Sequence, residues 1–177
     1  EVTRDTQVEL DLDAEEKAEK AIIGFRVTDD GPGFNEGNWE SFNKLDSLHK
    51  EEKGCRGVGR LLWLKAFEKV EIDSTYSQDS EIRRRKFTFD ERSEVSVPDS
   101  ALPLTQRVQT VVELFGFRKR YAQATNKSAE HIAIGLLEHC LWYFVRKEGV
   151  PTIEVIDGEK RFDLFDLFDS YMHTSSS

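Results

Sequence analysis

The chain contains two glycine clusters, Asp29-Asp30-Gly31-Pro32-Gly33 and Gly54-Cys55-Arg56-Gly57-Val58-Gly59. The first cluster directly follows a strand-like run at residues 21–28, and the second opens a run with apolar residues at helical spacing. Glycines have no Cβ, so backbone N–H groups can approach an anion closely, and a helix N-terminus adds roughly half a positive charge. The second cluster therefore predicts a phosphate-binding site at the start of a helix.

A carboxylate stands at the other end of this pattern. Asp29 closes the predicted strand, where it can accept a hydrogen bond from the exocyclic amine of a nucleobase. The two clusters together therefore predict a site that holds both ends of a nucleotide. The spacing of the second cluster is G-x-x-G-x-G, which matches neither the dinucleotide fingerprint nor the P-loop. Either cluster alone is more often an ordinary turn, so the prediction depends on their order and context.

At these residues the chain resembles the GHKL superfamily of ATPases, which includes gyrase, heat-shock chaperones, histidine kinases and mismatch-repair proteins and has the Bergerat fold. Asp29-x-Gly31-x-Gly33 is similar to the family's first glycine box, and Gly54-x-x-Gly57-x-Gly59 to its second. The resemblance implies that Asp29 accepts the adenine amino group, that Gly33 packs beside the base, and that residues 35–53 form an ATP lid.

The resemblance also implies the other contacts to ATP and Mg²⁺. Thr110 looks like the strand threonine that helps the aspartate hold adenine through water, although Gln109 stands where the family usually has glycine. Lys50 lies in the lid, where it either neutralises phosphate charge or belongs to a solvated loop. The expected cofactor-binding residues are Asp29, Gly31, Gly33, Lys50, Gly54, Gly57, Val58, Gly59 and Thr110.

One part of the family's site has no match in this sequence. The family places a helix before the first glycine box, with a glutamate as general base and an asparagine as magnesium ligand, spaced E-x-x-x-N. The residues before Asp29 instead predict strands, and the acidic run 15–19 has no asparagine four residues on. We expect this helix upstream of Glu1 in a longer parent protein. The fragment would then lack the catalytic and metal-binding residues and hydrolyse little or no ATP.

The remaining pattern predicts an α+β fold, a two-layer sandwich of a mixed, mainly antiparallel sheet covered by helices and incomplete at the N-terminus. The expected strands are 7–12, 21–28, 70–76, 82–90, 107–117 and a hairpin at 152–157 and 160–165, and the expected helices are 57–70 and 129–147. Residues 29–53 and 95–104 predict loops, and residues 162–168 fit neither a strand nor a helix. We expect one ATP-binding domain fragment over residues 1–177, with a C-terminal helix and hairpin extension at 118–177.

The composition narrows the classes of partner. The 177 residues carry a net charge of −9, which disfavours non-specific nucleic-acid binding. The basic run 83–86 is compatible with a nucleic-acid contact or with a charged edge strand. Apolar stretches are too short to span a membrane, and Cys55 and Cys140 lack the paired spacing of a zinc or redox site, so a cytoplasmic location is expected.

The sequence thus favours an ATP-binding segment of a GHKL-type ATPase, nearer to the chaperone-like and mismatch-repair-like members, whose ATP cycle drives a conformational change. Its expected partners are ATP and either a second copy of the chain or neighbouring domains of the parent protein. The alternative is a degenerate, non-hydrolysing module that keeps the fold for protein interaction. A third hypothesis is a GHKL-type protein that binds nucleic acid through residues 83–86.

Overall fold

The structure is a computed structural model that describes residues 2–4, 22–43, 59–90, 100–124, 128–146 and 150–174. The strands in these ranges are β1 Val2–Arg4, β2 Ile22–Asp29, β3 Phe67–Gln78, β4 Glu81–Asp90, β5 Ser100–Leu102, β6 Gln109–Phe117, β7 Glu154–Asp157 and β8 Lys160–Asp163. The helices are α1 Glu36–Asn43, α2 Gly59–Ala66, α3 Lys119–Ala122, α4 Ala129–Arg146 and α5 Leu164–Thr174. No helix in these ranges is long and apolar enough to cross a membrane.

The chain groups into two compact units, Gly24–Tyr121 and a second unit made of Glu1–Ile23 with Ala122–Ser177. The sequence predicts a C-terminal extension at 118–177, and the second unit contains most of that range together with Glu1–Ile23. The two glycine clusters both fall in the Gly24–Tyr121 unit, which therefore holds the candidate site.

The Gly24–Tyr121 unit is built on an antiparallel sheet of five strands in the order β2-β6-β3-β4-β5. β3 and β4 form a hairpin whose two turn residues, Asp79 and Ser80, both have positive φ angles, of 50° and 63°. Such turns match the right-handed twist of the flanking strands. The predicted α+β class with a mainly antiparallel sheet is confirmed.

Helices cover one face of this sheet. Period-two alternation turns Val70, Ile72, Phe87, Val112 and Leu114 to that face, and Phe67 at the start of β3 belongs to the same core cluster. Trp39 and Phe42 of α1 and Trp63, Leu64 and Ala66 of α2 pack against it. The Trp39 ring lies 4.9 Å from the Phe87 ring. Burial of these aromatic groups fixes both helices on the sheet.

The opposite face of the sheet carries charged side chains in cross-strand pairs. Arg26 of β2 pairs with Glu113 of β6 at 2.5 Å, and Arg84 of β4 binds Asp73 of β3 through two hydrogen bonds, from Nε and from a terminal nitrogen. Arg26, Glu113 and Asp73 border a shallow hollow of about 320 Å³. Because each pair is partly open to solvent, we expect it to add little to stability.

The Asp73–Arg84 pair predicts a specific acid dependence. Hydrogen bonds from Arg84 lower the pKa of Asp73, and the charges of Arg84 and Lys86 add to this effect against partial desolvation. A carboxyl group whose pKa is lower in the folded state stabilises the fold above its unfolded pKa, and this contribution is lost as the pH falls through the folded pKa. Asp73→Asn should therefore cost under about 1 kcal/mol at pH 7 and remove part of the loss of stability that the wild type suffers below about pH 4.

Urea unfolding at pH 7 and pH 3 measures this difference. Asp79→Asn, in the exposed β3–β4 turn, is the matched control and should keep the acid dependence of the wild type. An Asp73→Asn protein that loses as much stability on acidification as the wild type would contradict the prediction.

In the second unit, β7 and β8 form the hairpin that Asp157-Gly158 predicts, with Gly158 at a φ of 60°. Helix α4 occupies the predicted range and buries Ala133, Leu137 and Phe144, and it contacts β7, β8 and α5. The rings of Phe144 and Phe168 lie 5.7 Å apart.

Several predicted elements differ from the structure. Residues 36–43 form helix α1 rather than a loop, because Asn35 Oδ1 accepts from Asn38 N as an N-cap and two aromatic residues anchor the helix on the sheet. Residues 100–102 form β5 rather than a loop, since they pair with β4. The helix predicted to reach Val70 ends at Ala66, and residues 67–70 begin β3.

Residues 162–168, whose pattern fits neither a strand nor a helix, contain the end of β8 and the start of α5. Asp163 Oδ1 accepts from the backbone N–H groups of Phe165 and Asp166, so β8 ends and α5 begins at this point. The predicted strand at 7–12 and residues 44–53 of the predicted lid lie outside the described residues.

Candidate functional site

A row of polar side chains crosses the helix-covered face of the sheet. In the strand registers Asp29 of β2 faces Thr110 of β6, Thr110 faces Ser74 of β3, and Ser74 faces Arg85 of β4. Residues directly opposite each other share a face of the sheet, so these four residues form one polar row. The adjacent row is apolar, with Val112, Ile72 and Phe87 in the core cluster. The polar row therefore borders the apolar core on this face of the sheet.

Burial changes along the polar row from one end to the other. Arg85, Ser74 and Thr110 are buried, with Ser74 fully excluded from solvent, whereas Asp29 is exposed. Buried polar groups are costly unless they are hydrogen-bonded. The structure meets this requirement, because no buried side-chain nitrogen or oxygen in its described part lacks a hydrogen-bond partner.

The loop after Asp29 is held against the polar row. The backbone N–H of Phe34 donates to Ser74 Oγ at 2.9 Å, and Arg85 donates to the Phe34 carbonyl oxygen at 2.9 Å. Asn38 Nδ2, in α1, donates to the Gly33 carbonyl oxygen at 2.6 Å. Side chains from β3 and α1 thus hold both polar groups of the Gly33–Phe34 peptide unit, and Arg85 of β4 holds the carbonyl that follows it.

The glycines of the first cluster are required by close approach to the polar row. Gly33 has a φ of +66°, and a Cβ there would lie 2.6 Å from Ser74 Oγ and 3.1 Å from Tyr76 Cβ. The Gly31 N–H donates to Asp29 Oδ1 at 3.0 Å, which turns the chain back over the strand end. The loop therefore passes directly over the sheet, and its backbone borders Asp29 and Thr110.

Arg85 is buried under the start of α1. Its guanidinium group lies 3.2 Å from Glu36 Oε2, 4.6 Å from the centre of the Trp39 ring and 5.3 Å from that of Tyr76. A buried guanidinium needs such partners because loss of hydration is expensive. Arg85 thus ties the first turn of α1 to the sheet beside the glycine loop.

The basic run 83–86 is divided between the two faces of β4. Arg83 pairs with Glu81 at 3.0 Å, Arg84 pairs with Asp73 on the open face, and Arg85 is buried on the other. Arg85 therefore adds no positive charge to the surface, and the acidic partners Asp73 and Glu81 offset the charges of Arg84 and Arg83. This arrangement fits a charged sheet surface better than a nucleic-acid contact, which needs cations gathered on one side.

The second glycine cluster is described only at its end. Gly59 is the first residue of α2, so the helix starts within the predicted cluster. Lys50, Gly54, Gly57 and Val58 lie outside the described residues, so their predicted contacts to phosphate stay predictions.

Of the predicted site residues, the structure thus brings together Asp29, Gly31, Gly33 and Thr110. The sequence prediction missed Ser74 and Arg85. A period-two count along β3 and β4 would have placed both on the face of Ile72 and Phe87. Within the described ranges, no group of three His, Cys, Asp or Glu side chains is arranged to hold a metal ion.

No model of a known protein family matches the sequence, and no curated protein shows significant similarity to it. The residues and geometry of the candidate site therefore carry the functional inference.

Proposed function

We propose that this chain is the ATP-binding segment of a GHKL-type ATPase with the Bergerat fold. The observation that carries the proposal is the exposed carboxylate of Asp29 at the end of β2, in register with Thr110 and beside a glycine loop packed on the sheet. The resemblance assigns the same residues to adenine recognition. An antiparallel sheet with helices on one face is the architecture that this assignment requires.

The contacts available to a nucleobase support the proposal. Asp29 Oδ1 already accepts from the Gly31 N–H, which orients the carboxylate, and an ionised carboxylate has further acceptor capacity for an exocyclic amine. Gly33 has no side chain, so its backbone packs directly on Ser74 and Thr110 and holds the glycine loop beside Asp29. Val27, two residues before Asp29 on the same strand, is half exposed and offers an apolar surface next to the carboxylate.

The phosphate end of the proposal rests on the second glycine cluster. Helix α2 begins at Gly59, and backbone N–H groups at a helix N-terminus favour negative charge. Mg²⁺ would neutralise the phosphates when ATP is bound. The proposed glutamate base and asparagine ligand have no match in this sequence, so ATP binding, rather than hydrolysis, is what this segment is proposed to supply. A cytoplasmic location and a second copy or neighbouring domains as partners belong to the same proposal.

Calorimetric titration of the intact protein with ATP, with and without Mg²⁺, tests the proposal. We expect saturable binding of one ATP per chain. The absence of binding under both conditions would overturn it. Phosphate release by the full-length parent protein separates an ATPase from the degenerate alternative, since a module that keeps the fold only for protein interaction predicts no turnover.

A further inference from the structure

Ser74 has a single hydroxyl hydrogen, and its surroundings determine where that hydrogen lies. Among the described residues, Ser74 Oγ has two partners, the Phe34 N–H and Thr110 Oγ1 at 2.9 Å. The Phe34 N–H can only donate, so Ser74 accepts from it. Ser74 is fully buried, so no bulk water reaches its hydroxyl group.

Two arrangements of the Ser74–Thr110 hydrogen bond are then conceivable, and they differ in cost. If Thr110 donated to Ser74, the Ser74 hydrogen would have no acceptor among these partners and would be buried unsatisfied, which is unfavourable. If Ser74 donates to Thr110, every group at Ser74 is satisfied, and the hydrogen that still needs an acceptor is that of Thr110. Thr110 lies in register with the exposed Asp29, at the end of the polar row that solvent or a ligand can reach, whereas Ser74 is enclosed. The second arrangement is therefore the stable one, and it makes Thr110 Oγ1 an acceptor for Ser74.

This direction fixes the role of the Thr110 hydroxyl at the site. Its own hydrogen is left to point away from Ser74, and its neighbour on the other side of the polar row is Asp29. The site then presents a hydrogen-bond donor from Thr110 beside the acceptor of Asp29. Adenine offers the complementary pair, an amino donor next to a ring nitrogen acceptor. Guanine offers a carbonyl acceptor next to an N–H donor, which opposes both groups.

We propose that Ser74 is a positioning residue for nucleobase selection, which acts by donating to Thr110 and so directing the Thr110 hydroxyl hydrogen toward the base. This inference rests on the proposed ATP-binding function. The contact to the base belongs to Asp29 directly and to Thr110 through water, as the resemblance implies, and Ser74 acts only through Thr110. The same hydroxyl also accepts from Phe34, so it couples the glycine loop to the selection of the base.

The ratio of the dissociation constants for GTP and ATP tests the inference, because a purely structural role of Ser74 would weaken both nucleotides alike. Calorimetry on the intact protein should show that the wild type binds ATP at least about tenfold more tightly than GTP, and that Ser74→Ala lowers this ratio roughly three- to tenfold, as expected for a neutral hydrogen bond. Thr110→Val should lower the ratio by a similar factor. Adding Ser74→Ala to Thr110→Val should leave the ratio unchanged, since Ser74 acts through Thr110.

Ser77→Ala, at an exposed position of the same strand, is the matched control and should keep the wild-type ratio. Ser74→Cys, whose thiol is a weak donor, replaces Ser74→Ala if the alanine variant does not fold, and it should also lower the ratio. A wild-type protein that prefers ATP, with the same ratio in the Ser74 variants, would overturn the inference and leave the proposed function standing. A wild-type protein that binds neither nucleotide would overturn the proposed function and this inference with it.

Discussion

Asp29→Asn should weaken ATP binding roughly 10- to 150-fold, because a hydrogen bond from the adenine amino group to a charged carboxylate contributes about 1.5–3 kcal/mol. Asparagine keeps the size of the side chain, and its carbonyl oxygen can still accept from the Gly31 N–H. The loop should therefore keep its shape, so that the variant isolates the loss of charge at the adenine contact. Calorimetric titration with ATP on the intact protein measures the effect.

Asp30→Asn is the matched control for this experiment. Asp30 is the next residue, is also exposed, and lies beyond the end of β2. The same change of charge at this position should leave the ATP affinity within a factor of about two, because it alters only the screened electrostatic field around the site and removes no hydrogen bond to adenine. Equal affinities in the wild type and Asp29→Asn would show that Asp29 does not bind adenine.

Gly33→Ala should destabilise the Gly24–Tyr121 unit by roughly 2–5 kcal/mol, the sum of a left-handed backbone cost and of overpacking in the core. The backbone at Gly33 has a φ of +66°, which L residues rarely adopt. The added Cβ would also lie 2.6 Å from Ser74 Oγ and 3.4 Å from Thr110 Oγ1. Either the loop or the Ser74–Thr110 pair has to move. Urea unfolding followed by circular dichroism measures the change in the free energy of unfolding.

Gly158→Ala separates the two parts of this cost. Gly158 has a similar φ, of +60°, but nothing lies within 4 Å of the position of its Cβ. This substitution should therefore cost only the backbone part, about 1–2 kcal/mol. If Gly33→Ala were no more destabilising than Gly158→Ala, the close packing of the glycine loop on Ser74 would not hold in solution.

Strong local patterns in the sequence predicted much of the fold. The strand ending at Asp29 and the strands β3, β4 and β6 follow alternation of apolar and polar residues, which reflects burial on one face of a sheet. The hairpin at Asp157-Gly158 follows from a turn that needs a positive φ at glycine. These signals depend on a few neighbouring residues, so they can be recognised without the tertiary structure.

The elements that the sequence did not predict depend on contacts between distant residues. Helix α1 has only two large apolar side chains, too few for a periodic signal, and it forms where both of them meet Phe87. Strand β5 exists because β4 pairs with it. Arg85 belongs to a run of four basic residues, and only the sheet register shows that it is buried.

The candidate site was predictable where a residue type is itself informative. An aspartate before two glycines pointed to the adenine end, and the structure sets Thr110 opposite it. Ser74 carries no such signal, because a serine in a strand is ordinary until its neighbours across the sheet are known. Its importance comes from the pairing of three strands, which local sequence patterns do not encode.

The burial of Arg85 has a consequence for how this sequence can diverge. Residues 83–86 are all basic, but neighbouring positions of β4 alternate between the buried and the open face of the sheet and are therefore under different constraints. Arg84 and Lys86 lie on the open face and tolerate exchange for other hydrophilic residues, while Arg85 cannot be replaced without rebuilding its contacts with Glu36, Trp39 and Tyr76. Over evolutionary time the tetrapeptide should therefore lose its basic character at alternate residues and keep the interior guanidinium.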